Sequence, residues 1–264
     1  MSKRMTADGQ FRYGRELGRH RFEGNSVSDK HRVMLTELDF TDQSPDQLRA
    51  RFDYALEGVA PLRAVTELPH SGVFPNGAVL VEELPPGASL AEKRVTDRDR
   101  GRVAHELART VARATSRGMA LHGLRPDLVV VGDAVTLVPR SVDFLTQRST
   151  RVKTLDGDGS FGEDNPIDFF IDPTLLLEAD PRVDIYLLGL VISWTWTGQH
   201  AFAKAAKTSF HGYIFDAMQE GARDAWAGPP EIDTLVGAML ALDAAKRPGI
   251  DEVVDTLARF VANG

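Results

Sequence analysis

At 264 residues with 42% hydrophobic composition, the chain has apolar surface for one large two-part domain or two small ones. A net charge of -7 and a pI near 5.5 argue against nucleic-acid binding, which needs a basic face for phosphate. The absence of cysteine excludes disulfides and thiolate metal sites.

Residues 1–10 are polar and hold no apolar core of signal-peptide length. No stretch approaches the roughly 18 uninterrupted apolar residues of a membrane span. A soluble, cytoplasmic protein is the expectation. The scarcity of Lys beside abundant Arg, Ala, Asp and Val suits a GC-rich bacterial genome.

Residues 13–39 read as short strands, clearest at Val33-Met34-Leu35-Thr36-Glu37-Leu38. Ser44-Pro45-Asp46-Gln47 is a capping box with proline at the first helical position. Leu48, Phe52, Leu56 and Val59 continue it at helical spacing. Val79-Leu80-Val81 predicts a strand, broken by Leu84-Pro85-Pro86-Gly87. Thr96 with Asp99 opens a helix carrying Val103, Leu107 and Val111, with a stop near Gly118. Val129-Val130-Val131 and residues 134–138 read as a hairpin about a two-residue turn, Gly132-Asp133. Residues 148–166 are polar and rich in Gly and Asp, hence a loop. Residues 183–197 predict a helix apolar on every side, and residues 232–242 and 250–261 predict two more. The pattern is α+β, strands first and helices after.

Asp184-Ile185-Tyr186-Leu187-Leu188-Gly189-Leu190-Val191-Ile192-Ser193-Trp194-Thr195-Trp196-Thr197-Gly198 resembles the central helix of Ser/Thr protein kinases, DIYSLGVILYELLTG. Other segments follow in kinase order. Ser116-Arg117-Gly118 and Leu121-His122-Gly123-Leu124-Arg125-Pro126-Asp127-Leu128 resemble SRG and HRDLKPEN. Asp243-Ala244-Ala245-Lys246-Arg247-Pro248 is similar to DPxxRP, and residues 80–90 to a hinge of the LVMEYLPGGSL kind. Glu16-Leu17-Gly18 with Phe22 is similar to the start of the glycine-rich loop. The resemblance implies a single bilobal kinase-like domain over residues 1–264: an N-lobe of about residues 10–84, a hinge at 82–88 and a C-lobe of 89–264. The likeness is strongest in the C-lobe.

Phosphoryl transfer requires cations on the phosphates, ligands for Mg²⁺ and a carboxylate that orients the acceptor hydroxyl. At the matching positions this chain has other residues. Only the first loop glycine, Gly18, remains; His20 and Glu23 replace the others, and His20 and Arg21 read as solvated loop charges. The strand lysine is Thr36, and its partner glutamate falls near Ala55, with Glu57 on a solvated surface. The HRD triplet becomes Leu121-His122-Gly123, with Gly123 at the base; placing His122 on the family His instead deletes the base. The metal-binding Asn is Leu128, which cannot ligate a hard cation. Arg125 takes the place of the loop lysine, where contact with a phosphate and a structural salt bridge both stay open. So do two placements of DFG: Pro139-Arg140-Ser141, or Asp143-Phe144-Leu145 with Asp143 as a metal ligand. Thr174 stands for the APE glutamate in Asp172-Pro173-Thr174, leaving Arg247 to find another partner, for which Asp172 is the candidate. Asp184 is kept, and the resemblance gives its carboxylate the task of holding the catalytic-loop backbone.

The resemblance therefore implies a catalytically inactive kinase homologue that acts as a scaffold or allosteric partner in bacterial signalling. No catalytic residue, metal or obligate cofactor is expected; weak or metal-independent ATP binding would use a vestigial adenine pocket of Leu17, Glu82, Leu84 and Val130. The implied partner is another protein, an active Ser/Thr kinase or a phosphopeptide reader such as a forkhead-associated domain, with Thr150, Thr154 and Ser160 as phosphoacceptors. Two alternatives remain: an atypical phospho- or nucleotidyltransferase using Arg125, Asp143 and His122, and a nucleotide sensor without turnover. Asp156-Gly157-Asp158-Gly159 lacks the ligand pattern of a Ca²⁺ loop. His105, on an apolar helix face, reads as structural, as do Trp194 and Trp196.

Overall fold

The computed structural model describes residues 4–18, 21–39, 45–68, 77–121, 124–138, 172, 180–203, 217–218, 220–221, 223–224, 226 and 228–263. The chain divides into two compact units, Met1–Pro86 and Gly87–Gly264, and the fold is α+β.

The first unit is a five-stranded antiparallel sheet in which the fifth strand in sequence lies between the third and the fourth. Its strands are β1 (Phe11–Gly18), β2 (Arg21–Ser26), β3 (Arg32–Asp39), β4 (Leu62–Glu67) and β5 (Gly77–Glu83). Alternation along the strands sends Phe11, Tyr13, Phe22, Val33, Leu35, Val79 and Val81 into one apolar cluster on a single face. Arg4 closes one side of it: the guanidinium lies 4.4 Å from the Tyr13 ring centroid and binds the buried Glu37 carboxylate.

Helix α1 (Pro45–Phe52) is shorter than the apolar spacing predicts. Leu56 and Val59 are buried but lie in a loop, where Val59 N–H donates to Leu56 C=O across Gly58, whose φ is 85°. Burial alone produced the four-residue spacing there. Strand β4 carries no signal that predicts it. Its sequence, Leu-Arg-Ala-Val-Thr-Glu, lacks clean alternation because the pairing slips between Leu62 and Ala64, and a bulge reverses the pleat.

The second unit begins at Gly87, whose φ of 141° and close approach to Val131 C=O exclude a side chain. Strand β6 (Ala88–Ser89) pairs with β7 (Val129–Val131), and β7 with β8 (Val135–Leu137). Val131 faces Val135 across the hairpin, so the turn has three residues, 132–134, instead of two. Helix α2 (Asp97–Ser116) ends before Gly118 (φ 69°) as predicted. Its start differs from a capping box: the Thr96 hydroxyl donates to the Asp99 carboxylate at 2.7 Å, and no side chain caps the helix.

Helix α3 (Pro181–Thr197) has residues 183–193 buried without interruption, as its apolar sequence requires. The Asp180 carboxylate caps its first turn at Arg182 N–H, 2.8 Å away, and Gly198 (φ 67°) closes it through an N–H bond to Trp194 C=O. Gly189 brings α4 (Pro230–Met239) close: a Cβ there would lie 3.0 Å from the Met239 side chain. Helix α5 (Ile250–Asn263) packs on α2, and α2 also packs on α3. Trp196 stacks near Trp226 and Phe260, with centroids 5.8 and 6.1 Å apart, which bears out packing for that residue. Among the described residues, no helix is long and apolar enough to cross a membrane.

Candidate functional site

In the first unit the candidate positions share one face of the sheet. Thr36 pairs with Leu80 and Arg21, and Met34 with Glu82 and Glu23, so all six side chains project to the face opposite the apolar cluster. Thr36 is fully buried, and among the described residues its hydroxyl has no hydrogen-bond partner. At this position a neutral group replaces any cation. Glu82 is fully buried on the same face, and Arg21 is only 4% exposed. The burial of Arg21 corrects the expectation of a solvated loop charge: it opens strand β2 and is almost fully buried. Glu23 receives hydrogen bonds from Arg15 at 3.0 Å and Arg32 at 3.4 Å, which neutralise it locally.

Leu17 is half-buried in β1, and Leu84 is buried with its N–H donated to Arg32 C=O at 3.0 Å. The backbone donor of Leu84 is therefore committed within its own unit. Ala55 and Glu57 are exposed beyond the end of α1, so no helical glutamate is presented there.

In the second unit a 3₁₀ turn, Pro126–Leu128, follows Arg125 and leads into β7. Arg125 is 8% exposed and forms a two-pronged ion pair with Asp127, Nε and Nη2 each donating at 3.0 Å. The structure shows the salt bridge of the two alternatives for Arg125, and phosphate binding there would have to displace a bidentate carboxylate. Leu128 is fully buried and Val130 is 5% exposed within β7.

Two further buried contacts lie in this unit. The carboxylate of Asp184, at zero exposure, accepts from Leu121 N–H at 2.6 Å and so joins α3 to the segment before the turn. Asp172 and Arg247 form a second pair whose side chains are both fully buried. Arg247 Nη1 binds one Asp172 oxygen and Nη2 donates to the other at 3.2 Å. Nη1 also donates to Arg182 C=O and Nε to Ala241 C=O, each at 2.9 Å. The guanidinium stands 4.8 Å from the Tyr186 ring centroid. Burial, and secondarily the Asp172 charge, push the Tyr186 hydroxyl above its ordinary pKa. The partner proposed for Arg247 from sequence is thus the one it has.

Gly123, Thr174, Asp143, His122 and the serine and threonine candidates at 150, 154 and 160 lie outside the described residues, as do the Pro139-Arg140-Ser141 alternative and the Asp156-Gly157-Asp158-Gly159 segment. Among the described residues no group of three or more His, Asp or Glu is placed to hold a metal ion. His105 is half-buried on α2; burial, reinforced by the Arg109 charge, lowers its pKa. Sequence reasoning missed two features. Buried Glu82 could have been suspected from an acid directly following Val79-Leu80-Val81, and the arginine stripe of α2 from its four-residue spacing. Searches against models of known protein families and against curated proteins returned no match.

Proposed function

We propose that this chain is a bilobal protein kinase-like domain without phosphotransferase activity, acting in bacterial signalling by binding another protein. The observation that carries the reading is the contrast between the positions that would do chemistry and those that would hold the frame. Thr36 and Leu128 are buried, uncharged and unable to bind phosphate or Mg²⁺. Arg125 is occupied by Asp127. By contrast, Asp184 holds the Leu121 backbone and Arg247 has found Asp172. A frame retained around substituted chemical positions is what a domain kept for its surface requires. Losing one charged contact in an electrostatic site removes about 3–4 kcal/mol of transition-state stabilisation, and several such losses together leave little rate.

Nucleotide sensing without turnover is the second reading, supported by the hinge-like sequence at residues 80–90. A thermal-shift titration with ATP, with and without Mg²⁺ and Mn²⁺, separates the two. No shift at millimolar ATP supports the binding protein. A saturable shift moves the assignment to the sensor.

A further inference from the structure

Helix α2 carries an arrangement that its own stability does not favour. Between Lys93 and Arg117 the sequence holds eight Lys or Arg residues and three Asp or Glu, in a chain of net charge -7. Arg98, Arg102, His105, Arg109 and Arg113 recur at three- and four-residue steps and so form one stripe of about 22 Å along the helix. Arg102 is neutralised by Asp99 at 3.4 Å and Glu106 at 3.1 Å, and its guanidinium also binds the Gly132 and Asp133 carbonyls. That arginine serves the hairpin. Arg98 and Arg109 are different: both are exposed, and among the described residues neither lies within ion-pair distance of a carboxylate, Arg98 acting on Asp99, which already binds Arg102, only by its charge at longer range.

Their placement opposes helix electrostatics. Arg98 sits in the first turn, where the helix dipole repels a cation. Arg98 with Arg102 and Arg109 with Arg113 place like charges four residues apart, which weakens a helix. Arg113 is explained by the C-terminal end of the dipole, but Arg98 and Arg109 have no such account. Local rules broken on a well-packed helix mark a position kept for something outside the fold.

We propose that this stripe, centred on Arg98 and Arg109, is a docking surface for an acidic peptide segment of a partner protein. The inference rests on the proposed role as a binding protein and names the chemistry of its partner. Charge complementarity selects the occupant. Two exposed guanidinium groups suit a few carboxylates along one extended segment. A nucleic acid would extend past so short a stripe onto a chain that is acidic elsewhere, where its phosphates are repelled.

The test uses the full chain and a fluorescein-labelled glutamate peptide of about ten residues, which when extended spans more than the stripe. Anisotropy is read between about 50 and 200 mM NaCl, with a labelled single-stranded oligonucleotide of equal charge in parallel. The peptide binds, its affinity falls with salt, and Arg98→Glu with Arg109→Glu weakens it at least about tenfold. Arg98→Gln with Arg109→Gln gives an intermediate loss, and Arg259→Glu, an exposed arginine on α5, changes nothing. Circular dichroism establishes that the variants remain helical. Equal peptide binding by wild type and the Glu variant, or none by either, overturns the proposal. Tighter binding of the oligonucleotide through the same two residues overturns it in favour of nucleic acid. A protein partner captured equally by wild type and the Glu variant sinks the stripe and leaves the binding role standing.

Discussion

Replacing Arg247 by Met would take the two-pronged counter-charge from the Asp172 carboxylate, whose site has no solvent exposure. Two N–H bonds to Asp172 vanish, together with those to the Arg182 and Ala241 carbonyls. Removing one partner of a buried ion pair costs about 3–5 kcal/mol, because the survivor keeps its desolvation penalty. Asp172→Leu should cost a similar amount by stranding the guanidinium. The double variant removes both charges, and its residual cost is about 1–3 kcal/mol for carbonyls that lose their donors. The coupling between the two sites is therefore at least about 3 kcal/mol. All three tryptophans, Trp194, Trp196 and Trp226, lie in the second unit, so their fluorescence during urea unfolding reports that unit alone. Strictly additive losses, or a single-variant loss below about 1 kcal/mol, would refute the claim that the two buried charges depend on each other.

Gly189→Ala inserts a Cβ 3.0 Å from Met239 and 3.1 Å from Leu240 and forces α3 from α4; a loss of about 1–3 kcal/mol in the same assay is expected. Asp180→Ala removes the α3 cap at Arg182 N–H and should cost about 1 kcal/mol, with no change in the denaturant slope. His105 has a folded pKa below its ordinary value of 6.5, so the unfolded chain takes up its proton first. Its contribution to stability is present above pH 6.5 and declines as pH falls toward the folded pKa. Thermal melts across that interval should show a decline that His105→Gln flattens; an unchanged profile would rule out this coupling.

The parts of the fold legible in the sequence are those where one periodicity dominates. Residues 185–192 contain no charged residue and form a helix enclosed on every side. Val33, Leu35, Val79 and Val81 declare their strands because alternate positions fill one cluster. The end of α1 was not legible, since Leu56 and Val59 are buried from a loop and imitate helical spacing. Nor was β4, where a bulge breaks the alternation.

At the candidate site the same division holds. The Arg247–Asp172 pair could be inferred because a buried guanidinium demands a carboxylate and the matching glutamate was absent. The burial of Arg21 depends on which face of the sheet is covered, a long-range property that no local pattern encodes. Arg125 and Asp127 are two residues apart, a spacing that suggests no pairing until the 3₁₀ turn folds the chain between them.

The most direct test of the inactive-kinase account is phosphate transfer itself. The full chain is incubated with γ-labelled ATP, Mg²⁺ or Mn²⁺, and casein as acceptor. The account predicts no labelled product above a protein-free blank, in the chain or in the casein. Transfer that requires the divalent ion and disappears on Asp143→Ala would contradict it.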